Sequence, residues 1–296
     1  MSVHISVLMN EVIEGLDLRP NDIVIDGTVN GGGHAQVITK HLSSKGVFVG
    51  IDQDSKGLDV SAKVLDKVKP TVHLVHENTR HIDRILDDLN IDSYNKILLD
   101  LGWSSNQFED PMRGFSFNKK GPLIMSLSDK DAPAFTAADI VNTWEQQSMT
   151  DIFQGYGDEK FAWRIAGAIV ERRAEGEITD TLQLAEIIRN AIPKKFHGKT
   201  HPATKVFQAL RIAVNDEMQV LREILEKGWE RLAPGGRMVI ISFHSTEDRI
   251  VKHYFKQKKE EGAAALITKR PITAAEEELS DNPRSRSAKL RILQKI

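Results

Sequence analysis

The chain has 296 residues, 40% of them hydrophobic, which is enough for one large domain or two smaller ones with sizeable cores. A formal net charge of -2 at pH 7 excludes a strongly basic protein, so any contact with nucleic acid must come from local clusters of lysine and arginine. Cysteine is absent, which excludes disulfides, thiolate zinc sites and cysteine nucleophiles. No apolar run reaches the length of a membrane span and the N-terminus lacks a signal-peptide pattern, so we expect a cytoplasmic protein without membrane contact.

A short helix is predicted at residues 7–16, and the first strand follows and ends at Asp26. After that strand, Gly31, Gly32 and Gly33 precede a helical segment at residues 35–42. Glycines at such a turn permit positive φ, and the helix N-terminus offers amides to an anionic group. The spacing is neither G-x-G-x-x-G nor a P-loop, so an ordinary tight turn is the alternative interpretation.

A second apolar run supports a ligand site at this turn. It covers residues 47–51 and ends at Asp52, about where doubly wound folds place a carboxylate that binds a ribose diol. The two strand ends together indicate a site for a nucleotide-like cofactor.

Strand and helix patterns continue to alternate up to residue 101, which predicts crossover units and a parallel sheet. Further strands are predicted at 72–75 and 97–101, with helices at 58–68 and 82–89. From about residue 108 to residue 200 only helical patterns occur, at 138–143, 149–153, 161–173 and 182–191. One long amphipathic helix is then predicted at 203–231, before strands at 238–243, 265–268 and 288–293. An all-helical insertion therefore interrupts the predicted sheet.

Two polar segments end predicted strands at the carboxyl edge, where open α/β sheets bind ligands. Asp100 ends the fourth strand, with a helix cap as the alternative role, and residues 241–249 end the fifth, with a simple helix start as the alternative. His34, His201 and His244 are single histidines from distant segments, each more often structural than catalytic. They lack metal-ligand spacing, so we predict no metal.

Basic residues cluster in two intervals. The first contains Lys194, Lys195, His197, Lys199, His201, Lys205 and Arg211, and the second contains Arg284, Arg286, Lys289 and Arg291. Solvated surface is the common fate of such charges. If both groups face one cleft, they form a phosphate-binding footprint whose affinity falls with salt.

Several motifs, in order along nearly the whole chain, together resemble one family. They are Asp26-Gly27-Thr28 with Gly32-Gly33-His34, Asp100-Leu101-Gly102-x-Ser104-Ser105-x-Gln107, Arg113-Gly114-Phe115-Ser116-Phe117, Tyr156-Gly157, His201-Pro202-Ala203-Thr204-x-x-Phe207-Gln208-Ala209-Leu210-Arg211, Ile241-Ser242-Phe243-His244-Ser245-x-Glu247-Asp248-Arg249 and Asn282-Pro283-Arg284-Ser285-Arg286-Ser287. This set resembles the RsmH (MraW) family of bacterial 16S ribosomal RNA cytosine-N4 methyltransferases.

The resemblance implies S-adenosylmethionine as cofactor and 16S rRNA in the small ribosomal subunit as partner. It implies a class I, Rossmann-like methyltransferase sheet in two parts, residues 1–108 and 204–296, around a helical substrate-recognition domain at 109–203. Methyl transfer to the N4 amine of a decoding-centre cytosine is the implied activity, with Asp100 as the catalytic candidate. The implied cofactor residues are Asp26, Gly32, Gly33, His34, Asp52, Thr79, Asp100 and Gln107. Candidates for RNA contact are Trp103, Ser104, Ser105, Phe115, Phe117, His201, Arg211, His244, Ser245, Arg249, Arg284 and Arg286.

The sequence departs from the family pattern at four places. Asn30 replaces a glycine, although asparagine tolerates the left-handed region, and Thr79 replaces a phenylalanine expected near the adenine. Ile124 and Ser126 stand where the family usually has Asp and Arg, so an acid and a base are missing together.

These departures leave other functions open. A noncatalytic rRNA-binding or ribosome-assembly factor and a methyltransferase with a shifted acceptor are both compatible with the loss of the acid and base. A nicotinamide-dependent oxidoreductase is disfavoured by the absent dinucleotide fingerprint, and a small-molecule methyltransferase by the two basic clusters.

Overall fold

The computed structural model describes residues 6–102, 105–198 and 200–296, and for residues 105 and 106 it describes the backbone only. The chain divides into two compact units, Met1–Ser104 with Met218–Ile296 and Ser105–Glu217. We call them the sheet unit and the helical unit. The predicted Rossmann-like α/β fold with an all-helical insertion is confirmed.

The sheet unit contains a seven-stranded sheet of order β3-β2-β1-β4-β5-β7-β6. Its strands are β1 (Ile23–Asp26), β2 (Val47–Asp52), β3 (Thr71–His76), β4 (Tyr94–Asp100), β5 (Leu232–Ser242), β6 (Ala264–Leu266) and β7 (Lys289–Lys295). The pairs among β1 to β5 are parallel, whereas β7 runs antiparallel to both β5 and β6. Apolar spacing did not predict this reversal because it has the same period in both strand directions.

Helices complete the chain. They are α1 (Met9–Leu16), α2 (Gly33–His41), α3 (Ser55–Val64), α4 (Ile82–Asp88), α5 (Ser105–Glu109), α6 (Ala137–Thr143), α7 (Gln146–Gly155), α8 (Ala162–Ala174), α9 (Thr181–Ala191), α10 (Thr204–Val214), α11 (Glu217–Arg231), α12 (Ser245–Glu260) and α13 (Glu276–Asp281). Short 3-10 helices cover Thr79–His81, Pro111–Arg113, Lys194–Phe196 and Pro283–Ser287. Within the described ranges, no helix is both long and apolar enough to cross a membrane.

Both faces of the sheet are buried, because successive strand residues enter different apolar clusters. Val24 and Phe48 belong to one cluster, whereas their chain neighbours Ile25 and Val49 belong to the other. This alternation follows from the two-residue period of a strand, and burial on both faces explains why these strands read as continuous apolar runs.

The helical unit extends further along the chain than the sequence predicted. Val206, Phe207 and Leu210 of α10 share one buried cluster with Met149 and Phe153 of α7. The division between the units therefore falls after Glu217, whereas the sequence placed it after residue 203.

The single helix predicted at 203–231 is wrong, because the structure has two helices, α10 and α11, in this stretch. The break lies at Asn215 and Asp216, and Asp216 has a left-handed φ of 49°. The side chain of Asn215 accepts a hydrogen bond from Leu127 N at 2.7 Å and donates one to Met125 O at 2.8 Å. Apolar residues recur at helical spacing on both sides of the break, so periodicity alone did not reveal it.

Candidate cofactor and acceptor site

The carboxyl edge of the sheet carries three aspartates. Asp26, Asp52 and Asp100 end β1, β2 and β4, which are parallel neighbours in the sheet. Thr28 connects two of these strand ends, since its Oγ1 accepts a hydrogen bond from Asp100 N at 2.7 Å and its N–H donates to Asp26 Oδ1 at 3.1 Å. The structure thus brings together the acids that the sequence predicted at this edge.

The glycine-rich turn after β1 has the predicted left-handed conformations. Asn30 has a φ of 46° and Gly32 a φ of 78°, so asparagine is accommodated where the family has glycine. Asn30 N donates to Asp52 Oδ2 at 2.7 Å, and Asp54 N donates to Asp52 Oδ1 at 2.9 Å. Asp52 therefore links the turn after β1, through Oδ2, to the segment after its own strand, through Oδ1.

His34 lies in the first turn of α2 and is held from two sides. Its Nε2 is 3.0 Å from Val7 O, and its Nδ1 is 3.7 Å from Asp100 Oδ2. Burial lowers the pKa of His34, so the contact with Asp100 joins a neutral imidazole to a carboxyl group and is not an ion pair. The Val7 carbonyl needs a donor, which assigns the ring proton to Nε2.

A C-terminal helix fixes the same N-terminal segment. Leu8 N donates to Glu278 Oε1 of α13 at 2.8 Å, and a Cβ added to Gly33 would overlap Ser6 Oγ. Residues 6–8 are therefore packed directly against the turn that begins α2. Sequence reasoning missed this contact because Glu278 is 270 positions from Leu8 in the chain.

Burial raises the pKa of all three aspartates at the edge. Asp26 reaches about 7, where nearby His34 lowers the value and the neighbouring acids raise it further. Asp100 also reaches about 7, with Glu247 as a second raising influence, and Asp52 reaches about 6. Asp100 Oδ1 is buried without a hydrogen-bond partner among the described residues. Such an edge favours a ligand that brings positive charge or hydrogen-bond donors.

Glu247 is a buried acid that the sequence treated only as part of a helix start. Its Oε2 accepts from Phe243 N at 2.9 Å and from His244 N at 3.3 Å, which closes a capping box at the start of α12. His244 Nδ1 accepts from Glu247 N at 3.4 Å, and its Nε2 lies 3.0 Å from Glu247 Oε1 without hydrogen-bond geometry. The H-x-x-E spacing after a strand was the signal available in the sequence.

The second basic group is spread over the 3-10 helix Pro283–Ser287 and β7. Arg284 and Arg286 are exposed in the 3-10 helix Pro283–Ser287, and Ser245 and Arg249 are exposed in the first turns of α12. In contrast, Asp248 Oδ1 is 2.7 Å from Arg291 Nε, and Asp248 Oδ2 is 3.4 Å from Lys289 Nζ. The paired residues stabilise the junction of α12 with β7.

Three predicted residues of the helical unit have roles inside that unit. Arg211 is 3% exposed and binds both carboxylate oxygens of Glu217, at 2.7 and 2.8 Å, so its predicted place in a surface phosphate footprint is corrected. Phe115 is 6% exposed within the apolar cluster, which corrects its predicted role as a stacking surface. Gln107 is buried, and its Nε2 donates to Leu127 O at 3.2 Å.

Phe117 and His201 form an aromatic pair in the helical unit. Their ring centroids are 4.6 Å apart with an interplanar angle of 10°, and both residues are partly exposed. His201 Nδ1 accepts from Ala203 N at 3.2 Å, and burial with nearby Arg189 and His197 lowers the pKa of His201. Trp103 and Ser104 lie outside the described residues, as does the side chain of Ser105.

Ile124 and Ser126, the positions that lack the family's acid and base, occupy an irregular loop. Ser126 is buried, its Oγ donates to Ser128 O at 2.9 Å, and its carbonyl accepts from Arg113 Nη1 at 3.3 Å. Ile124 is half-buried, and its carbonyl accepts from Ala137 N at 3.4 Å. Backbone carbonyl groups thus accept several of the hydrogen bonds that hold this loop.

The strand order, the antiparallel β7 and the acidic carboxyl edge after a glycine turn define a class I methyltransferase. The whole chain, residues 1–296, matches the MraW methylase family, and the protein belongs to that family. It is 43% identical to ribosomal RNA small subunit methyltransferase H of Clostridium botulinum, over 99% of each chain. The protein of the same name from Pelobacter propionicus is 44% identical, over 99% of this chain and 98% of the relative. A solved rRNA methylase from Streptococcus thermophilus has a TM-score of 0.47 at 10% identity, over 99% of both chains.

Proposed function

We propose that this protein transfers a methyl group from S-adenosylmethionine to the exocyclic N4 amine of a decoding-centre cytosine of 16S rRNA in the small ribosomal subunit. Family membership and the names of the relatives support an rRNA methyltransferase, and the cytosine N4 acceptor follows from the family resemblance. The observation that carries the proposal is Asp100, whose buried Oδ1 lacks a partner at the ligand-binding edge of the sheet. A substrate of this kind is found in the cytoplasm.

The residues at the edge fit S-adenosylmethionine, which supplies a methyl group made electrophilic by a positively charged sulfur. We propose that Gly32, Gly33 and His34 lie against its methionine end, at the N-terminus of α2. The other proposed contacts in the sheet unit are Asp26, Asp52, Thr79 and Asp100, while a cofactor contact of Gln107 stays a prediction of the family resemblance. Thr79 lies close to the turn, since its Cγ2 would be 3.1 Å from a Cβ added to Gly27, but it offers less apolar surface than the phenylalanine of the family.

Asp100 is the proposed acceptor of the amine proton. The lone pair of the cytosine amine is delocalised into the ring, so a hydrogen bond from that amine to a carboxylate helps to localise it on nitrogen. A pKa of about 7 suits an acid-base group that works near neutral pH, and it results from burial with Glu247 close by. The Thr28 hydroxyl holds the backbone of Asp100 in place by accepting a hydrogen bond from its N–H.

The target base must leave its stack to reach the edge of the sheet, and RNA-binding proteins commonly read such bases by stacking and edge hydrogen bonds. Among the described residues, we propose that the Phe117–His201 pair contacts RNA, as do Ser245, Arg249, Arg284 and Arg286, which are exposed. His244 caps α12 at the carboxyl edge and is a further candidate.

The test is transfer of labelled methyl from S-adenosylmethionine to small ribosomal subunits that lack the modification, followed by nucleoside analysis. Asp100→Asn keeps the shape of the side chain but removes the base, so we expect about a 100-fold or greater loss of transfer. Asp92→Asn, an exposed aspartate in the same unit, is the matched control and should retain full activity. Cofactor binding by Asp100→Asn is measured separately by calorimetry.

The result also separates the rival functions. Label found as N4-methylcytosine and lost in Asp100→Asn supports the enzyme proposal. Subunits that bind the protein without receiving label indicate a noncatalytic assembly factor, the rival that the changes at Ile124 and Ser126 favour. Label in another nucleoside indicates a methyltransferase with a shifted acceptor.

A further inference from the structure

Phe196 is a large aromatic residue that the helical unit leaves exposed. It lies in the 3-10 helix Lys194–Phe196 and is 55% exposed. Its ring packs against that of Phe161, with centroids 5.0 Å apart and an interplanar angle of 50°. Packing on Phe161 restrains one side of the Phe196 ring, while the exposed part can accept a flat partner.

Lysines border this ring. Lys195 Nζ is 5.1 Å from the centroid of Phe196, and Lys194 is exposed beside it in the same turn. Phe161, which packs on Phe196, is the N-cap of α8; Lys160 precedes it, Arg164 follows three residues later, and both are exposed. We define the Phe196 surface as Phe161, Lys194, Lys195 and Phe196.

Acidic residues are few at the start of α8. Its first turn contains none, and the buried Glu159 carboxylate just before the helix offsets the positive end of the helix dipole. Glu159 is buried, and its Oε1 accepts from Phe161 N at 2.8 Å. Asp158, which precedes Glu159 in the chain, is exposed and opposes an anionic ligand.

An exposed aromatic ring bordered by lysines suits a nucleic-acid strand better than a protein surface. Single-strand-binding proteins combine a positively charged path for phosphates with rings on which bases stack. Protein interfaces, in contrast, are depleted in lysine. The ring supplies stacking without sequence preference, and the lysines supply phosphate contacts.

We infer that the Phe196 surface binds single-stranded RNA, with a base stacked on Phe196 and backbone phosphates beside Lys194 and Lys195. This inference rests on the proposed function, because it assigns part of the rRNA contact to a surface that none of the family motifs includes. It predicts that Phe196 contributes to RNA affinity even in an assay in which no methyl group is transferred.

The first test measures binding of a short fluorescein-labelled oligocytidylate by fluorescence anisotropy. Phe196→Ala should weaken binding about tenfold, as expected for the loss of one stacked base, whereas Phe196→Trp should restore it. Leu182→Ala removes another exposed apolar side chain of the helical unit and should leave the affinity unchanged. Circular dichroism checks that each variant is folded.

The second test measures the dependence of oligocytidylate affinity on salt. Lys194→Gln with Lys195→Gln should reduce the slope of log K against log salt by about 1.4, because each phosphate contact to a single strand contributes about 0.7. Lys40→Gln with Lys45→Gln makes the same change of charge on exposed residues of the sheet unit and should leave the slope unchanged.

Each outcome supports or overturns the inference. Equal affinities of wild type and Phe196→Ala for the oligonucleotide, within twofold, overturn it. Weaker binding of Phe196→Ala to whole subunits with unchanged oligonucleotide binding also overturns it and indicates contact with a ribosomal protein. If the oligonucleotide results are as expected but no label reaches rRNA, the proposed function fails while the RNA-binding surface stands.

Discussion

At the scale of single residues, burial of carboxyl groups controls the chemistry of the carboxyl edge. Asp26 and Asp100 both have a pKa raised to about 7, whereas an ordinary aspartate has a pKa of 3.8. A carboxyl that holds its proton up to neutral pH can act both as a hydrogen-bond donor and, once ionised, as a base. Its protonation therefore couples ligand binding and protein stability to pH.

We predict that the stability of the cofactor-free protein depends on the proton held by Asp100. Between about pH 4 and pH 7 the folded state keeps this proton while the unfolded chain loses it, so the stabilisation is complete below pH 4 and is lost as pH rises through 7. Asp100→Asn cannot ionise. The free energy of unfolding of this variant, relative to wild type, should therefore increase by an amount on the order of 4 kcal/mol between pH 4 and pH 8.

Urea unfolding of both proteins across this pH range measures the difference. The comparison with wild type cancels acids that do not interact with Asp100, such as Asp139 and Asp248, whose lowered pKa values act in the opposite direction. Asp92→Asn, a change at an exposed aspartate of the same unit, is unfolded in parallel as the control. A flat difference for Asp100→Asn would show that its carboxyl is already ionised at low pH.

The sequence predicted the acids of this site more successfully than their partners. Asp26, Asp52 and Asp100 each follow an apolar strand, and parallel strands end at one edge, so periodicity was enough to group them. Arg211 looked like surface charge because its buried partner is recognised only after the turn between α10 and α11 is known. Glu247 was missed because its sequence pattern is that of an acid at a helix start. That pattern does not reveal that the acid also lies near Asp100.

At the scale of elements, the turn between β1 and α2 determines whether the site forms. Its left-handed positions at Asn30 and Gly32 direct the chain into α2, and residues 6–8 pack on the first turn of that helix. The sequence indicated the turn by its glycines. It could not indicate which glycine is needed for conformation and which for close packing.

We predict that Gly33 is required for packing, not for conformation. Its φ is not positive, but an added Cβ would overlap Ser6 Oγ, so Gly33→Ala should lower the free energy of unfolding by about 1–3 kcal/mol. The double change with Ser6→Ala should recover part of the loss, because the Ser6 hydroxyl makes the overlap while Ser6 Cβ is 3.4 Å away.

Gly31→Ala is the matched control, two residues earlier in the same turn. Its added Cβ would meet only Val60 Cγ1 at 3.6 Å, an ordinary contact, so the change should be within about 0.5 kcal/mol. Urea unfolding of the four proteins forms the comparison. If Gly31→Ala is as destabilising as Gly33→Ala, general loss of turn flexibility is responsible and the packing explanation fails.

At the scale of the whole molecule, two separate cores carry the two parts of the proposed reaction. The sheet unit has the acidic edge, while the helical unit has its own apolar cluster, the Phe117–His201 pair and the Phe196 surface. Alternating strand and helix patterns predicted the sheet unit, and an unbroken series of helical patterns predicted the helical unit. Both kinds of pattern follow from local burial, so the sequence could show this division. They misplaced its second boundary because the membership of α10 is decided by tertiary packing.

The two-unit organisation leads to a prediction about Ile124 and Ser126, which belong to the helical unit. We expect wild-type protein to transfer methyl, and Ile124→Asp with Ser126→Arg to change the rate of transfer less than about threefold. The reason is that the loop is held partly by backbone bonds, such as Met125 N to Arg113 O at 2.9 Å, which do not depend on these side chains.

Stability should respond differently from activity. Ser126 is buried, so Ser126→Arg alone places an unpaired charge in the helical unit and should cost about 3–5 kcal/mol. If Asp at 124 and Arg at 126 pair, the double variant should be less destabilised than the sum of the single changes, and urea unfolding of all four proteins measures this coupling. Subunit methylation measured on the same proteins decides the functional question. An inactive wild type together with an active double variant would show that the missing pair belongs to the catalytic machinery, and that this chain keeps the fold as a ribosome-binding protein.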